Sequence, residues 1–326
     1  MMRRLIYLLG MLVGVRYGGE CYGQDEGRLL VVREDGEEDF DVALMDIDGS
    51  NLTKLTHFSW PITQPSLSPN QNKLAFIKTG FGPPFHGDDL YVMNVDGTNL
   101  LNLTQNDDLH LNEHPSWSPD GNRVVFSRAA ENETDGFDIN VVAANGTDWE
   151  NLTSQYNGHE RDPDWSPDGT KIVFYRSSPE VGGNVDIYTI DENGGSFTRL
   201  TDHPEFDYFP QWSPDGTKIL YRSIRDGNSE IYVMNYDGSI QTNLTNHPGA
   251  DVEAAWAPDG SRIVFGSDRD GAYGLYVMDF DGSNVKKMMD NLHGPIIFGC
   301  CYQWIFSEIP TLVFPLSWGQ LKFRFK

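Results

Sequence analysis

Apolar and polar residues follow one pattern along this chain, and the pattern returns every 44 to 50 residues. In its clearest copy a short segment ends at Trp212, a Ser-Pro-Asp-Gly sequence follows, and a β-rich run begins at Lys218. Proline presets φ and glycine takes a conformation that bulky residues avoid, so this tetrapeptide predicts a tight turn between two strands. Residues 230–234 and 243–245 predict a third strand and a short fourth one.

The repeat predicts an all-β fold, a six-bladed β-propeller of four-stranded antiparallel blades. Five units are complete, and a second Asp-Gly or Asn-Gly turn recurs in step with the first. The end of the first strand in successive units is marked by Leu67, Trp117, Trp165, Trp212 and Trp256. An aromatic side chain at a repeated strand position packs in the core, so we expect the tryptophans to be buried between blades.

Residues 28–56 supply only the second, third and fourth strands of a unit. We therefore predict that the first and last segments share the closing blade, which removes open sheet edges. The candidate for the missing inner strand is Pro-Ile-Ile-Phe at residues 295–298. This gives a propeller over residues 24–298 and a tail over residues 299–326 that does not match the repeat.

These units resemble the TolB-type, WD-like propeller repeats of bacterial periplasmic and secreted proteins. The resemblance rests on Trp-Ser-Pro-Asp-Gly, the Lys-Ile-x-Phe type of strand after it, and the later Asp-Ile-Tyr-x-Met and Asp-Gly segments, and it covers residues 28–298. It implies the propeller fold, and TolB-type proteins dock a peptidoglycan-associated lipoprotein. Similar repeats precede the hydrolase domain of some serine peptidases, but no G-x-S-x-G elbow occurs in this sequence.

Residues 1–23 read as a signal peptide. Arg3 and Arg4 form a basic start, and the apolar run at residues 5–15 is too short to span a bilayer. We expect a periplasmic or secreted protein with no transmembrane span in the mature chain, and a retained membrane anchor is the alternative. Only Cys300 and Cys301 lie outside the signal peptide, so no disulfide framework is expected.

The formal net charge is −24. Such a chain repels nucleic acid and suits cations or a basic partner, although a high charge also keeps a secreted protein soluble. We therefore expect an envelope or extracellular protein as partner, no nucleic acid, and a monomeric chain.

Function in repeat folds sits on the variable loops, and here these lie opposite the repeated turns. We use the name channel mouth for the residues where the inner strands begin, just before the repeated proline. The predicted binding residues are Glu113, His114, Arg161, Asp162, Asp207, Tyr208, Phe209, Asp251 and Glu253. Gln64 holds the equivalent position in the second blade. This pattern predicts an acidic mouth, and the alternative is a merely hydrated channel.

The sequence favours a binding scaffold for a protein or peptide, acting through this acidic face with no required cofactor. The alternative is an enzyme acting on a carbohydrate or lactone through a divalent cation, such as calcium, in the channel. A purely structural envelope protein is a third hypothesis.

Overall fold

The computed structural model describes residues 28–34, 40–46, 50–56, 58, 62–79, 87–105, 110–130, 136–178, 182–289 and 303–305. Within these ranges the chain forms strands and turns and no helix. The strands make six separate four-stranded antiparallel sheets, which confirms the predicted six-bladed propeller. None of the residues described forms a helix that is long and apolar enough to cross a membrane.

Five blades are built from consecutive strands, with the innermost strand first. The second blade contains β4 (Ile62–Leu67), β5 (Lys73–Lys78), β6 (Asp89–Asn94) and β7 (Leu101–Asn102). The third contains β8 (His110–Trp117), β9 (Arg123–Ala130), β10 (Asp138–Ala143) and β11 (Glu150–Asn151). The fourth contains β12 (His159–Trp165), β13 (Lys171–Ser177), β14 (Val185–Asp191) and β15 (Thr198–Arg199).

The fifth blade contains β16 (Asp207–Trp212), β17 (Lys218–Ser223), β18 (Glu230–Asn235) and β19 (Thr242–Asn243). The sixth contains β20 (Asp251–Trp256), β21 (Arg262–Ser267), β22 (Gly274–Asp279) and β23 (Lys286–Met289). The closing blade joins the two ends of the chain. It contains β1 (Arg28–Glu34), β2 (Phe40–Asp46), β3 (Thr53–Lys54) and β24 (Gln303–Ile305).

In the closing blade β24 is the inner strand, and it pairs with β1 from Arg28 opposite Ile305 to Leu30 opposite Gln303. The first and last segments therefore share a blade, as the repeat predicted. The position predicted for the closing strand was wrong, because the strand that pairs with β1 lies later, within the segment assigned to the tail. Residues 295–298 and the signal peptide at residues 1–23 lie outside the described residues.

The repeated tryptophans pack between neighbouring blades. Trp117, Trp165, Trp212 and Trp256 are each no more than 6% exposed. Trp212, for example, contacts Val173 and Ile187 of the preceding blade as well as Ile219 of its own. Burying a large apolar side chain stabilises the folded state by about 2–3 kcal/mol, in proportion to the apolar area removed from water. The predicted wedge role is confirmed.

The Ser-Pro-Asp-Gly turns are closed by their own side chains. The Ser213 hydroxyl donates to Asp215 Oδ1 at 2.6 Å and accepts from the Lys218 N–H at 2.9 Å. Gly216 has φ of 70°, a conformation that costs glycine little. Ser118 with Asp120 and Ser166 with Asp168 make the same contact at 2.6 Å. The turn chemistry is thus local and nearly identical from blade to blade.

The Asn-Leu-Thr triplets join the outermost strand of a blade to its third strand by hydrogen bonds. Asn243 Oδ1 accepts from the Thr245 N–H at 3.0 Å, and Asn243 Nδ2 donates to Asp226 Oδ2 at 2.8 Å. Thr245 Oγ1 then accepts from the N–H of Ile231 on the third strand at 3.0 Å. The triplets at Asn102 and Asn151 repeat these contacts. The triplet is therefore explained by blade geometry.

Asp164 links three blades near the axis. Its Oδ1 accepts from Ser116 Oγ of the third blade, and its Oδ2 accepts from the Trp212 N–H of the fifth, both at 2.9 Å. Burial raises the pKa of Asp164 to about 6, although the hydrogen bonds oppose the shift. In the next gap, Gln211 Oε1 accepts from the Trp256 N–H at 3.2 Å. Side chains placed one residue before the tryptophan position thus connect neighbouring inner strands.

Candidate functional site at the channel mouth

A β-bulge interrupts the inner strand at the same point in five blades. At each bulge one non-glycine residue has φ between 51° and 54°: Gln64, His114, Asp162, Phe209 and Glu253. Left-handed backbone at such residues costs roughly 1–2 kcal/mol each and tends to persist where it serves function. A bulge changes the direction in which a side chain points. At the channel mouth the structure describes one such bulge in each of five blades.

The bulge residues of three successive blades contact one another. Gln64 Oε1 accepts from the His114 N–H at 2.7 Å, and Gln64 Nε2 lies 3.1 Å from His114 Nε2. On its other side, His114 Nδ1 contacts Asp162 Oδ1. His114 is therefore held between an amide from the second blade and a carboxylate from the fourth.

These contacts define the hydrogen-bonding state of His114. Because Gln64 Oε1 is occupied by a backbone N–H, the amide nitrogen donates to Nε2, and Nδ1–H donates to Asp162. Burial favours the neutral ring, but the Asp162 carboxylate and, more weakly, that of Glu113 outweigh it. The pKa of His114 is consequently raised above 6.5. Protonation would place two donors face to face at Nε2 and Gln64.

An ion pair and a buried tyrosine stand beside this histidine. Arg161 Nη1 lies 3.5 Å from Glu113 Oε2, and the Arg161 guanidinium sits 3.7 Å above the centre of the Phe137 ring. Tyr175 is opposite Arg161 in the strand register. Burial raises the pKa of Tyr175 far above its ordinary value, and the Asp162 carboxylate adds to the shift. Tyr175 is therefore a neutral hydrogen-bonding group at any physiological pH.

An aromatic cluster from the fifth blade completes the mouth. Phe209 is 39% exposed, and its ring centre lies 6.4 Å from that of His114 and 6.0 Å from that of Tyr175. Tyr208 packs edge-on to Tyr175 at 5.6 Å. The guanidinium of Arg222 lies over both fifth-blade rings, 5.1 Å from Tyr208 and 5.3 Å from Phe209. Blades two to five thus meet at one place.

Asp207 and Asp251 do not offer open carboxylates at the mouth. Both are 0% exposed, and each is bonded to an arginine of its own blade. Arg225 Nη2 lies 2.8 Å from Asp207 Oδ2, and Arg269 Nη2 lies 3.0 Å from Asp251 Oδ1. Arg225 stacks on Tyr232 and Arg269 on Tyr276, at 4.8 and 5.0 Å from the ring centres. These pairs belong to the framework of the blades.

The charge at the channel mouth is mixed. Glu113, Asp162 and Glu253 bring negative charge to the bulge positions and their neighbours, while Arg161 and Arg222 bring positive charge. His114 is half-buried between Asp162 and the ion pair of Arg161 with Glu113. Among the residues for which the structure gives positions, no three His, Cys, Asp or Glu side chains form a group suited to a metal ion.

Sequence reasoning missed Tyr175 and Arg222. Both lie on second strands, directly opposite the residue that precedes the bulge, where the register pairs Arg161 with Tyr175 and Tyr208 with Arg222. The equivalent residue follows the apolar core of each second strand and differs between blades, but only the strand register shows that it lies opposite the residue before the bulge. At that position the third and sixth blades carry only Ser127 and Gly266.

The sequence matches the model of one protein family. The TolB beta propeller domain model matches residues 23–221 and 200–293, which together make up most of the chain. No curated protein matches the chain significantly.

Solved structures with the same fold include proteins of different kinds, all with low sequence identity. TolB from Acinetobacter baumannii is 21% identical with a TM-score of 0.66; the match covers 83% of this chain and 65% of that one. A putative TolB from Agrobacterium tumefaciens is 22% identical over 84% of this chain and 92% of that one, with a TM-score of 0.61. An oligogalacturonate lyase from Vibrio parahaemolyticus is 15% identical over 80% and 74%, with a TM-score of 0.59. At this identity the likeness shows the fold alone.

Proposed function

Because the chain belongs to the TolB beta propeller domain family, we propose that it is an exported protein-binding scaffold whose channel mouth receives a peptide segment of its partner. The observation that carries this proposal is the set of five bulges. They hold non-glycine residues in left-handed backbone, and three of these residues, from successive blades, contact one another at the mouth. Peptide recognition needs apolar and polar groups side by side, and Phe209 lies next to His114 and Asp162.

The partner is a protein of the envelope or the extracellular space with a basic surface. The formal charge of −24 supports this assignment, since a basic protein approaches such a chain with electrostatic steering. The half-buried carboxylates Glu113 and Glu253 add a local component, whereas Asp162 is buried. Association should therefore slow as salt rises, because screening shortens the range of the attraction.

Export rests on residues 1–23, whose basic start and apolar run are those of a signal peptide. Mature protein isolated from the periplasm or the culture medium should begin near Gln24. Recovery of Met1 on protein confined to the cytosol would contradict export, whatever the protein binds.

The binding proposal is tested with the Phe209→Ala variant. Phe209 is exposed, so its loss should leave the fold intact while removing the apolar centre of the mouth. Immobilised wild-type protein is used to isolate the partner from envelope extract, and affinity is then measured with the purified partner by surface plasmon resonance. Phe209→Ala should weaken binding at least tenfold.

Phe280→Ala is the matched control. Phe280 is 58% exposed and lies in the turn between β22 and β23, at the opposite end of the disc. Equal affinity of the two variants and the wild-type protein would place binding on another surface and contradict the proposal.

A second candidate is an enzyme that acts on a carbohydrate or lactone through a divalent cation such as calcium. The observation in its favour is the Asp162–His114 contact within a channel whose fold is shared with an oligogalacturonate lyase. A stoichiometric metal in the purified protein that is lost in His114→Ala, together with turnover of an oligogalacturonate, would support it. Metal-free protein that binds its partner with full affinity would exclude this candidate.

A further inference from the structure

Arg222 differs from the other arginines of the chain in its surroundings. Six described arginines are ion-paired to a carboxylate within 4 Å: Arg123, Arg161, Arg176, Arg199, Arg225 and Arg269. Among the residues that the structure describes, Arg222 makes no such pair, and its Nε is shielded from solvent without a hydrogen-bond acceptor. Its guanidinium lies over the rings of Tyr208 and Phe209, and its charge also acts on Tyr273. A guanidinium lacking an anion is unusual in a chain with a net charge of −24.

The two rings hold the guanidinium by cation–π attraction, with Cζ 5.1 and 5.3 Å from their centres. This attraction uses none of the N–H donors, which keep their capacity to bond an acceptor. A shielded donor without an acceptor costs free energy until an acceptor arrives. Two parallel N–H groups match the two oxygens of a carboxylate, which is the strongest neutral-pH partner of this geometry.

We propose that Arg222 binds a carboxylate carried by the partner's peptide, while an adjacent apolar side chain of that peptide packs on Phe209. This inference rests on the proposed peptide-binding function and names the chemistry of the segment that enters the mouth. The partner is basic in its overall charge and carries one carboxylate at the tip that inserts. Glu113, Asp162 and Glu253 stand nearby, so a monoanion is accepted more readily than a dianionic phosphate.

The same observations favour a peptide over an acidic sugar. Stacking of a sugar ring requires a free aromatic face, and Arg222 competes for the faces of Tyr208 and Phe209 from 5.1 and 5.3 Å. Tyr175 lies edge-on to both rings as well. The exposed part of Phe209 suits a side chain that approaches from the channel, next to the guanidinium edge.

The test uses four small probes, three peptide derivatives and galacturonate, and NMR titration of the full chain, observing the Nε–H signals of the arginines. N-acetylphenylalanine carries an aromatic group beside a terminal carboxylate, and the dipeptide N-acetyl-Phe-Glu-amide carries a side-chain carboxylate instead. N-acetylphenylalaninamide is the uncharged control. We expect the Arg222 Nε–H signal to shift with the peptide carboxylates and not with the amide, and the two peptide carboxylates distinguish a chain terminus from a glutamate side chain.

Variants separate the anchor from general charge effects. Arg222→Gln should lower the affinity for the carboxylate probes and for the partner at least tenfold, and Arg222→Lys should restore it only in part, because lysine keeps the charge but loses the paired donors. Arg123→Gln removes one positive charge at the opposite end of the disc and should change neither. Thermal unfolding of Arg222→Gln should match the wild-type protein, which shows that the fold is retained.

The outcomes distinguish this inference from the function on which it rests. If Phe209→Ala weakens the partner and Arg222→Gln does not, the carboxylate anchor is wrong and peptide binding stands. If galacturonate shifts the Arg222 signal while neither peptide carboxylate does, the ligand class is wrong. If neither variant affects the partner, both proposals fail together.

Discussion

Both ends of the disc contain left-handed backbone, and they differ in where along the strands it occurs. In the Pro-Asp-Gly turns, glycines such as Gly169 and Gly216 take φ between 69° and 73°. At the channel mouth, φ is also positive, between 51° and 54°, at five non-glycine residues in the bulges: Gln64, His114, Asp162, Phe209 and Glu253. Glycine relieves strain where the chain only has to reverse direction. Non-glycine residues such as Ser196 and Ile240 also take left-handed backbone in turns at the other end, with φ of 46° and 55°, so the conformation alone does not distinguish the mouth. What distinguishes the mouth is a bulge within the inner strand at the same point in five blades.

The largest expected effect separates architecture from recognition on a single strand. Trp212→Ala should lower the free energy of unfolding by about 3–5 kcal/mol, because it opens a cavity between the fourth and fifth blades. Phe209→Ala, three residues earlier on β16, should lower it by less than about 1 kcal/mol. Urea unfolding followed by fluorescence measures both. If the two substitutions lower the free energy of unfolding by similar amounts, Trp212 and Phe209 do not differ in their structural role.

The pKa values of two aspartates in the fourth blade are shifted in opposite directions. Burial raises the pKa of Asp164 to about 6, so the folded state binds its proton more tightly than the unfolded state does, whose pKa is near 3.8. The contribution of Asp164 to stability is therefore lost as pH rises from about 4 to about 6, by up to roughly 3 kcal/mol at 1.4 kcal/mol per pKa unit. Asp164→Asn should remove this loss in unfolding experiments across that range.

Asp168 provides the contrast at the turn end. The Ser166 hydroxyl and the Thr170 backbone hold its pKa below 3.8, so its contribution is present above that value and is lost as pH falls. Asp168→Asn should therefore flatten the acid side of the stability profile and leave the range between pH 4 and 6 unchanged. The same profile for both variants would show that the two sites are not electrostatically distinct.

Glycine and alanine should show the same ranking at both ends, although the native residues differ. At position 216 and at position 209, glycine should be more stable than alanine by about 0.5–1 kcal/mol, because the left-handed conformation penalises a Cβ. Thermal unfolding of Gly216→Ala, Phe209→Ala and Phe209→Gly measures this. Greater stability of alanine at position 209 would mean that the bulge is not strained there.

The smallest effect is a change in one titration rather than in stability. The pKa of His114 should lie above 6.5 in the intact protein, because the Asp162 carboxylate outweighs burial. In Asp162→Asn burial dominates, and the pKa should fall below that of the wild-type protein. NMR of the imidazole protons measures both values, with His203 in a surface loop as the internal reference. An unchanged pKa would show that the two side chains do not interact in solution.

The sequence predicted the parts of the fold that repeat. Its period, the wedges such as Trp212 and the turns such as the one at Gly216 follow from local chemistry, which is the same in each blade. The closing strand was misplaced because the segment around Gln303 carries no copy of the repeat, and its assignment depends on a partner at the far end of the chain.

At the mouth, the binding role of the predicted residues stays a prediction, while the structure shows which of them lie together and what surrounds them. His114, Asp162 and Phe209 converge as their repeat positions indicated. Asp207 and Asp251 are covered because Arg225 and Arg269 reach back to them. This could have been noticed, since the fifth and sixth blades both carry Arg-Asp-Gly after the second strand. The role of Arg222 depends on strand register, which a single sequence does not reveal.

The three-residue pairing of β24 with β1 has a consequence for how the chain reaches its native state. It joins residues 28–30 to residues 303–305, so the ring cannot close until nearly the whole chain has emerged from the ribosome or the export channel. Contacts between such distant segments form slowly, because a long loop loses entropy before any gain is made. Until then β1 presents an unpaired strand edge that can add to other chains. A chaperone that covers this edge during synthesis would therefore act on the closing blade more than on any other.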